Sequence, residues 1–367
     1  MRLAAALLVG LLAACAPRGD IVMLPEAGAV GQVQPVYFAT MRGASEDPDR
    51  IFDGARSEDI SYGRIDISVP PDREQGAVAY PDRAEPDPET EFLAIDRHSY
   101  DGSGAFRAAL SRELAARRDD GRDVVIFVHG FNATFGEGMF RMAQLMQDLQ
   151  IPGIGVHYSW PSAGNPLGYS YDRDSQLFAR DGLEALIADI HAAGARDVVI
   201  VAHSMGALMT MEVLRQIEIA RPGTAHRTVD GVVLFSPDID VDLFRAQALR
   251  IGKLPQPFII FTSRRDAALA LAARLTGQRE RLGNISDVAQ VADLDVTILD
   301  VSNFSDGTRH LTAATSPSLL RLLSAMGQVS DAFAGDQAGR TGLLPGTILT
   351  MQNATQIILE PAAPQRR

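Results

Sequence analysis

The chain has 367 residues, enough to bury one large core or two modest ones. Hydrophobic residues make up 46% and charged residues 22%, which excludes a disordered chain and calls for a globular core. A formal net charge of -12 repels phosphate backbones and anionic surfaces at long range, so nucleic acid is set aside as a partner.

Met1 and Arg2 lead into an apolar run from Leu3 to Ala14, too short to span a bilayer and of the length of a signal-peptide core. The run closes on Leu12-Ala13-Ala14-Cys15, which resembles the bacterial lipobox, where the thiol accepts diacylglycerol before cleavage. Cys15 is the sole cysteine, and its placement is the argument against an ordinary secretory signal. Residues 1–14 are therefore expected to be a lipoprotein signal peptide, with Cys15 as the lipid attachment site and the membrane as a partner through that anchor. A lipidated Cys15 leaves no thiol for disulfides, nucleophilic catalysis or thiolate metal sites. The expected location is the bacterial cell envelope, facing the periplasm, and Ala16 in place of aspartate favours the outer membrane.

Residues 15–34 are rich in Gly, Pro and Ala without a sustained period and read as a flexible tether. Pro35–Thr40 and Arg64–Val69 have strand-like content and are candidates for an antiparallel pair. Pro70–Glu91 reads as a solvated loop, followed by a short strand at Phe92–Ile95 and an amphipathic helix over Ser103–Arg117. From Asp123 the pattern changes to short apolar strands separated by helical stretches, the signature of buried parallel strands in a βαβ array. Strands are predicted at Val124–Val128, Gly153–Tyr158, Val198–Ala202, Gly231–Phe235, Pro257–Thr262 and Val296–Asp300. Helices are predicted at Glu137–Leu149, Ser175–Ala193 and Gly206–Ile219. The fold class is α/β: a doubly wound, mostly parallel sheet of at least six strands, with helices on both faces and an N-terminal strand extension. A last helix is expected over Leu319–Phe333, and 334–367 reads as a C-terminal tail with one apolar stretch, Thr347–Leu359. The domain at 35–333 thus divides into an extension, 35–120, and a core, 121–333.

The strongest chemical signal is Val198-Val199-Ile200-Val201-Ala202-His203-Ser204-Met205-Gly206, a strand running through a sharp turn into a helix. A nucleophile elbow needs small residues two before and two after its serine, because strand and helix backbones are forced together, and Ala202 and Gly206 meet that need. A serine capping a helix after a buried strand is the plainer interpretation of the same pentapeptide. The strand Val124–Val128 ends in His129-Gly130-Phe131, where such a fold places its first oxyanion donor. The backbone N–H groups of Phe131 and Met205 are the candidate oxyanion hole. Of seven histidines, only His310 follows the last predicted core strand, so chain order selects it as general base. The orienting acid should follow a strand end between Ser204 and His310. Asp266, after the penultimate strand, is favoured, with Asp238 as the alternative and Asp240 better suited to capping the next helix. No His/Asp cluster has metal-ligand spacing, no cofactor is implied, and no G-x-G-x-x-G follows the first core strand.

Taken together, Tyr37–Arg42, Ser61–Arg64, Val128–Asn132, Ser159-Trp160-Pro161-Ser162, Tyr171-Asp172-Arg173-Asp174, Ala202–Gly206, Pro237-Asp238 and Ser263–Asp266 resemble a bacterial α/β-hydrolase family of unknown function. The resemblance runs from about Val36 to Leu320. It implies the hydrolase fold and a Ser-Asp-His triad on Ser204, Asp266 and His310, and it supplies no substrate. Trp160, the sole tryptophan, reads as core packing, and Tyr171–Asp174 as a surface turn or a substrate lip. The function expected from the residues is a serine hydrolase, esterase or lipase-like, forming an acyl-enzyme on a small-molecule or lipid ester. The rival is a noncatalytic envelope scaffold on the same fold. Oligomeric state is not legible.

Overall fold

The computed structural model describes residues 18–118, 121–277, 280–304, 310, 312–317, 320, 346–351 and 354–359. Within them lie eleven strands: β1 Gln32–Ala44, β2 Phe52–Val69, β3 Leu93–Tyr100, β4 Val124–Val128, β5 Ile154–Ser159, β6 Val198–His203, β7 Gly231–Phe235, β8 Phe258–Thr262, β9 Thr297–Asp300, β10 Gly346–Met351 and β11 Ala354–Leu359. The longer helices are α1 Gly102–Ala115, α2 Phe135–Asp148, α3 Tyr169–Phe178, α4 Arg180–Ala192, α5 Met205–Ala220, α6 Val241–Ile251 and α7 Ala267–Leu275.

All eleven strands form one sheet in the order β10-β11-β9-β8-β7-β6-β4-β5-β1-β2-β3. The pairings from β11 through to β1 are parallel, and β10–β11, β1–β2 and β2–β3 are antiparallel. The apolar runs explain the centre. In β4, Val124, Ile126 and Val128 face one buried cluster with helices α1, α4, α5 and α6, while Val125 and Phe127 face a second cluster built on α2. A strand covered on both faces has no polar position to spare, hence its unbroken hydrophobicity. β4 lies between β5 on one side and β6 on the other, so the chain order reverses there. The carboxyl ends of β4 and β6 flank that reversal, which is where such sheets open a crevice.

Four segments depart from the reading of the sequence. Residues 18–34 do not behave as a tether: Asp20, Ile21 and Ala27 are buried, and Leu24 N–H and Ala94 N–H bond the carbonyls of Ala94 and Val22. Backbone pairing of this kind leaves no periodic signature in side chains. β2 begins at Phe52 rather than Arg64, because its first half is a ribbon paired with β1 whose side chains are mostly exposed. The helix expected over Ser175–Ala193 is two helices meeting at Ala179, a buried residue whose carbonyl is bonded by the Tyr158 hydroxyl. The stretch Thr347–Leu359, read as part of a tail, forms the β10–β11 hairpin, with β11 parallel to β9. The helix expected over Leu319–Phe333 lies outside the described residues except at Leu320.

Ile357 is 5% exposed and sits beside Leu299 of β9 in the ladder. Ile357→Ala is expected to lower unfolding free energy by about 2–4 kcal/mol, as for other large-to-small changes in a core. A urea midpoint indistinguishable from wild type would show the hairpin to be detached from the folding unit.

Candidate active site

Ser204 links β6 to α5 with φ 53° and ψ -118°, a conformation costly for a residue with a side chain. Neighbouring backbone over-determines it. Ser204 N–H bonds the Phe235 carbonyl at 3.0 Å, and the Ser204 carbonyl accepts from Asp238 N–H at 3.2 Å and Ala207 N–H at 3.1 Å. A methyl group on Gly206 would stand 2.5 Å from the His129 carbonyl and 2.6 Å from that of Val128, so only glycine lets α5 start against the end of β4. Ala202, the other small position, is fully buried between Val128 and Leu234 of the flanking strands.

His310 completes a continuous chain of hydrogen bonds. Its Nε2 lies 2.9 Å from Ser204 Oγ and its Nδ1 2.7 Å from Asp266 Oδ2. A carboxylate can only accept, so Nδ1 carries the proton and Nε2 presents its lone pair to the serine hydroxyl. Asp266 is 3% exposed, and its other oxygen accepts the Leu269 N–H at 3.1 Å, capping α7. One carboxylate thus orients the imidazole and ends a helix whose amino-terminal dipole favours its charge. Asp238, the alternative acid, is held elsewhere: Arg281 Nε is 3.0 Å from Oδ1, and the Tyr169 hydroxyl donates to Oδ2 at 2.9 Å. Burial and the Asp238 charge push Tyr169 up to about 12, which keeps it a donor. Asp240 caps α6, as its position in the sequence implies.

The amide of Met205 lies in the first turn of α5, where no acceptor exists within the helix. The loop carrying Phe131 is wired on all sides. Asn132 N–H donates to Asp172 Oδ2 at 3.0 Å, Ala133 N–H to Ser162 Oγ at 3.1 Å, and the Ala133 carbonyl accepts from Arg42 at 2.7 Å. Trp160 is fully buried, stacks on His129 with ring centroids 4.6 Å apart, and donates its indole N–H to the His129 carbonyl. Tyr171–Asp174 lie in α3, and Asp172 turns inward to accept from Ser162 Oγ at 2.6 Å. Arg42 and Asp172 were therefore present in the sequence motifs without a legible role. The only signal was charge where burial was expected: an arginine ending the run Val36–Met41.

Three further histidines line this region without joining the chain from Ser204 to Asp266. His203 packs on His310 with ring centroids 4.8 Å apart, and burial followed by the His310 charge holds it well below its ordinary range. Burial likewise depresses His129, together with Arg42 and His157, and takes His157 to about 3.

A sharp strand-turn-helix serine at the crevice of a mostly parallel sheet, faced by a histidine and an acid from later strand ends, defines an α/β-hydrolase. Residues 103–326 match the family model described as alpha/beta hydrolase of unknown function (DUF900), and the chain belongs to that family. No curated protein matches the sequence. Among solved structures, a CIB-like hydrolase from Thermoplasma acidophilum is 19% identical, with 58% of this chain and 89% of that chain covered at a TM-score of 0.34. Aspergillus fumigatus lipase B is 16% identical over 59% of this chain and 53% of that chain, with a TM-score of 0.35. An esterase from Rhizomucor miehei is 12% identical over 83% and 86%, with a TM-score of 0.34. Overlaps this low carry no argument beyond themselves.

The buried histidines set an acid limit on the fold. In the unfolded chain each takes up a proton near pH 6.5, and in the folded chain only at lower pH, so below about 6.5 the unfolded state holds more protons. Stability is expected to fall as pH drops from 7 toward 5, with a slope approaching ~4 kcal/mol per pH unit for three such groups. Urea midpoints at pH 7.5, 6.5 and 5.5 measure it, and a flat profile would mean that these rings are not held neutral.

Proposed function

We propose that the protein is a serine hydrolase of esterase or lipase-like type, transferring an acyl group to water through Ser204. The observation that supports this most is the unbroken hydrogen-bond chain from Ser204 through His310 to Asp266, built on a strained elbow. In this reading His310 Nε2 takes the serine proton as Oγ attacks the ester carbonyl. Asp266 keeps the proton on Nδ1 and stabilises the imidazolium that forms. The Phe131 and Met205 N–H groups hold the oxyanion of the tetrahedral intermediate. Its collapse expels the alcohol, which takes the proton back from His310, and leaves an acyl-enzyme. Water, deprotonated by the same imidazole, then releases the acid and restores Ser204. The substrate class is a carboxylic ester, a thioester or a lipid acyl bond.

The same reading places the domain in the envelope, tethered to a membrane through a diacylglyceryl group on Cys15. Mass spectrometry of the amino-terminal peptide checks that part, with the lipid mass expected on Cys15 and absent from Cys15→Ser.

The chemistry is tested by labelling the detergent-solubilised full-length protein with a fluorophosphonate. Wild type should carry the adduct on Ser204, and Ser204→Ala and His310→Ala should carry none. Asp266→Asn should slow labelling by roughly 10^3 to 10^4-fold, the cost of the wrong imidazole tautomer in such a triad. A folded wild type that takes no label would favour a noncatalytic scaffold.

A further inference from the structure

The matched region begins at residue 103, yet the loop that carries Phe131 is held by a side chain from well upstream. Arg42 lies in β1 and is 2% exposed. Its guanidinium reaches four segments: Nε donates to Ser159 Oγ at 2.8 Å, and Nη1 to the carbonyls of Asp53 at 3.0 Å and Ser162 at 2.9 Å. Nη2 donates to the Ala133 carbonyl at 2.7 Å and stands 3.3 Å from His129 Nε2. Burial lowers Arg42 only to about 10, so the charge persists at neutral pH. From the other side Asp172 accepts Asn132 N–H, Ser162 Oγ and Ala163 N–H. The amides of residues 132 and 133 are thus committed to Asp172 and Ser162, and the carbonyl of residue 133 to Arg42. Asn132 sits at φ 57°, in the left-handed region that asparagine tolerates, and so turns the loop at this point. Of the three successive N–H groups in this turn, that of Phe131 has no acceptor among the described residues.

We infer that Arg42 is a positioning residue for the hydrolytic site: by fixing the Ala133 carbonyl it orients the 131–133 backbone so that the Phe131 N–H points at the developing oxyanion. The inference rests on the proposed serine-hydrolase reading. It makes the N-terminal extension a working part of the site, since the matched region alone lacks this clamp. Arginine is required by its planar fork of donors, which spans several acceptors at once, whereas a lysine ammonium offers three donors from one point.

The test measures Ser204 phosphonylation by a fluorophosphonate on the solubilised full-length protein, separating maximal rate from half-saturating probe concentration. Arg42→Gln should lower the maximal rate about 10^2 to 10^3-fold, the usual effect of losing one oxyanion donor, with half-saturation changed less than about threefold. The pH at which labelling is half-lost on the acid side should stay that of wild type, because His310 is untouched. Arg42→Lys should recover part of the rate, about tenfold over Arg42→Gln. Tyr62→Phe, in the same extension but away from the loop, removes a 2.8 Å hydrogen bond to Asp189 of α4 and should label at the wild-type maximal rate. If Arg42→Gln does not fold, Ser162→Ala, which frees the Ala133 N–H, should show the same signature at about a tenfold loss. A wild-type maximal rate in folded Arg42→Gln, or an equal loss in Tyr62→Phe, overturns the inference. Failure of folded wild type to label at all overturns the serine-hydrolase reading, and this inference with it.

Discussion

Everything in the site follows from one close contact, the backbone of β4 against the first turn of α5 at Gly206. With glycine there, α5 can begin directly under the His129 carbonyl, and the chain must reverse within the single residue between β6 and α5. That residue is Ser204, and its conformation costs on the order of 1–3 kcal/mol. The hydrogen bond that Ser204 donates to Phe235 and those it accepts from Asp238 and Ala207 keep the strain in place. The result is a hydroxyl raised above the carboxyl edge of the sheet, beside a helix terminus whose amides face the same space.

Two carboxylates compete for that neighbourhood, and environment separates them. Asp266 keeps one oxygen for α7 and gives the other to His310. Asp238 also meets the Ser204 backbone, its N–H bonding the Ser204 carbonyl, but its side chain is engaged by Arg281 and Tyr169 rather than by His310. Burying Asp238 without Arg281 would leave an uncompensated charge, so the pair is fixed as a unit. The imidazole has one acid within reach rather than two, and a single tautomer.

The sequence was legible where one element carries its own pattern. Val124–Val128 and Gly231–Phe235 are the observed strand limits, because an apolar run bounded by turns needs no partner to be recognised. The elbow was legible for the same reason: its small residues and its serine are neighbours in the chain. His310 and Asp266 could be nominated by order along the chain, but the choice between Asp266 and Asp238 could not be made locally. Both follow a strand end, and what divides them is Arg281, which the fold brings in from a later loop. The first half of β2, the pairing of residues 21–24 and the α3–α4 break at Ala179 were hidden because backbone partners, not side-chain periodicity, determine them. Arg42 and Asp172 were hidden more deeply, since a buried charge is intelligible only beside what surrounds it.

What surrounds Arg42 matters for the chemistry. Its hydrogen-bond partners are carbonyl and hydroxyl oxygens, with the His129 ring nitrogen alongside, and no carboxylate bonds it directly among the described residues. A guanidinium solvated by dipoles keeps its field, whereas one locked to a carboxylate largely cancels it. Asp172, an anion in that network, lies across the loop and is itself taken up by two amides and a hydroxyl. The 129–134 loop therefore sits between fixed positive and negative ends, oriented by both and free to move toward neither. In a chain of net charge -12, a persistent cation at the root of this loop and the amino terminus of α5 act with the same sign on the space above Ser204. On the proposed hydrolase reading, an oxyanion formed there would meet donors set in place by folding, without the reorganisation that water requires.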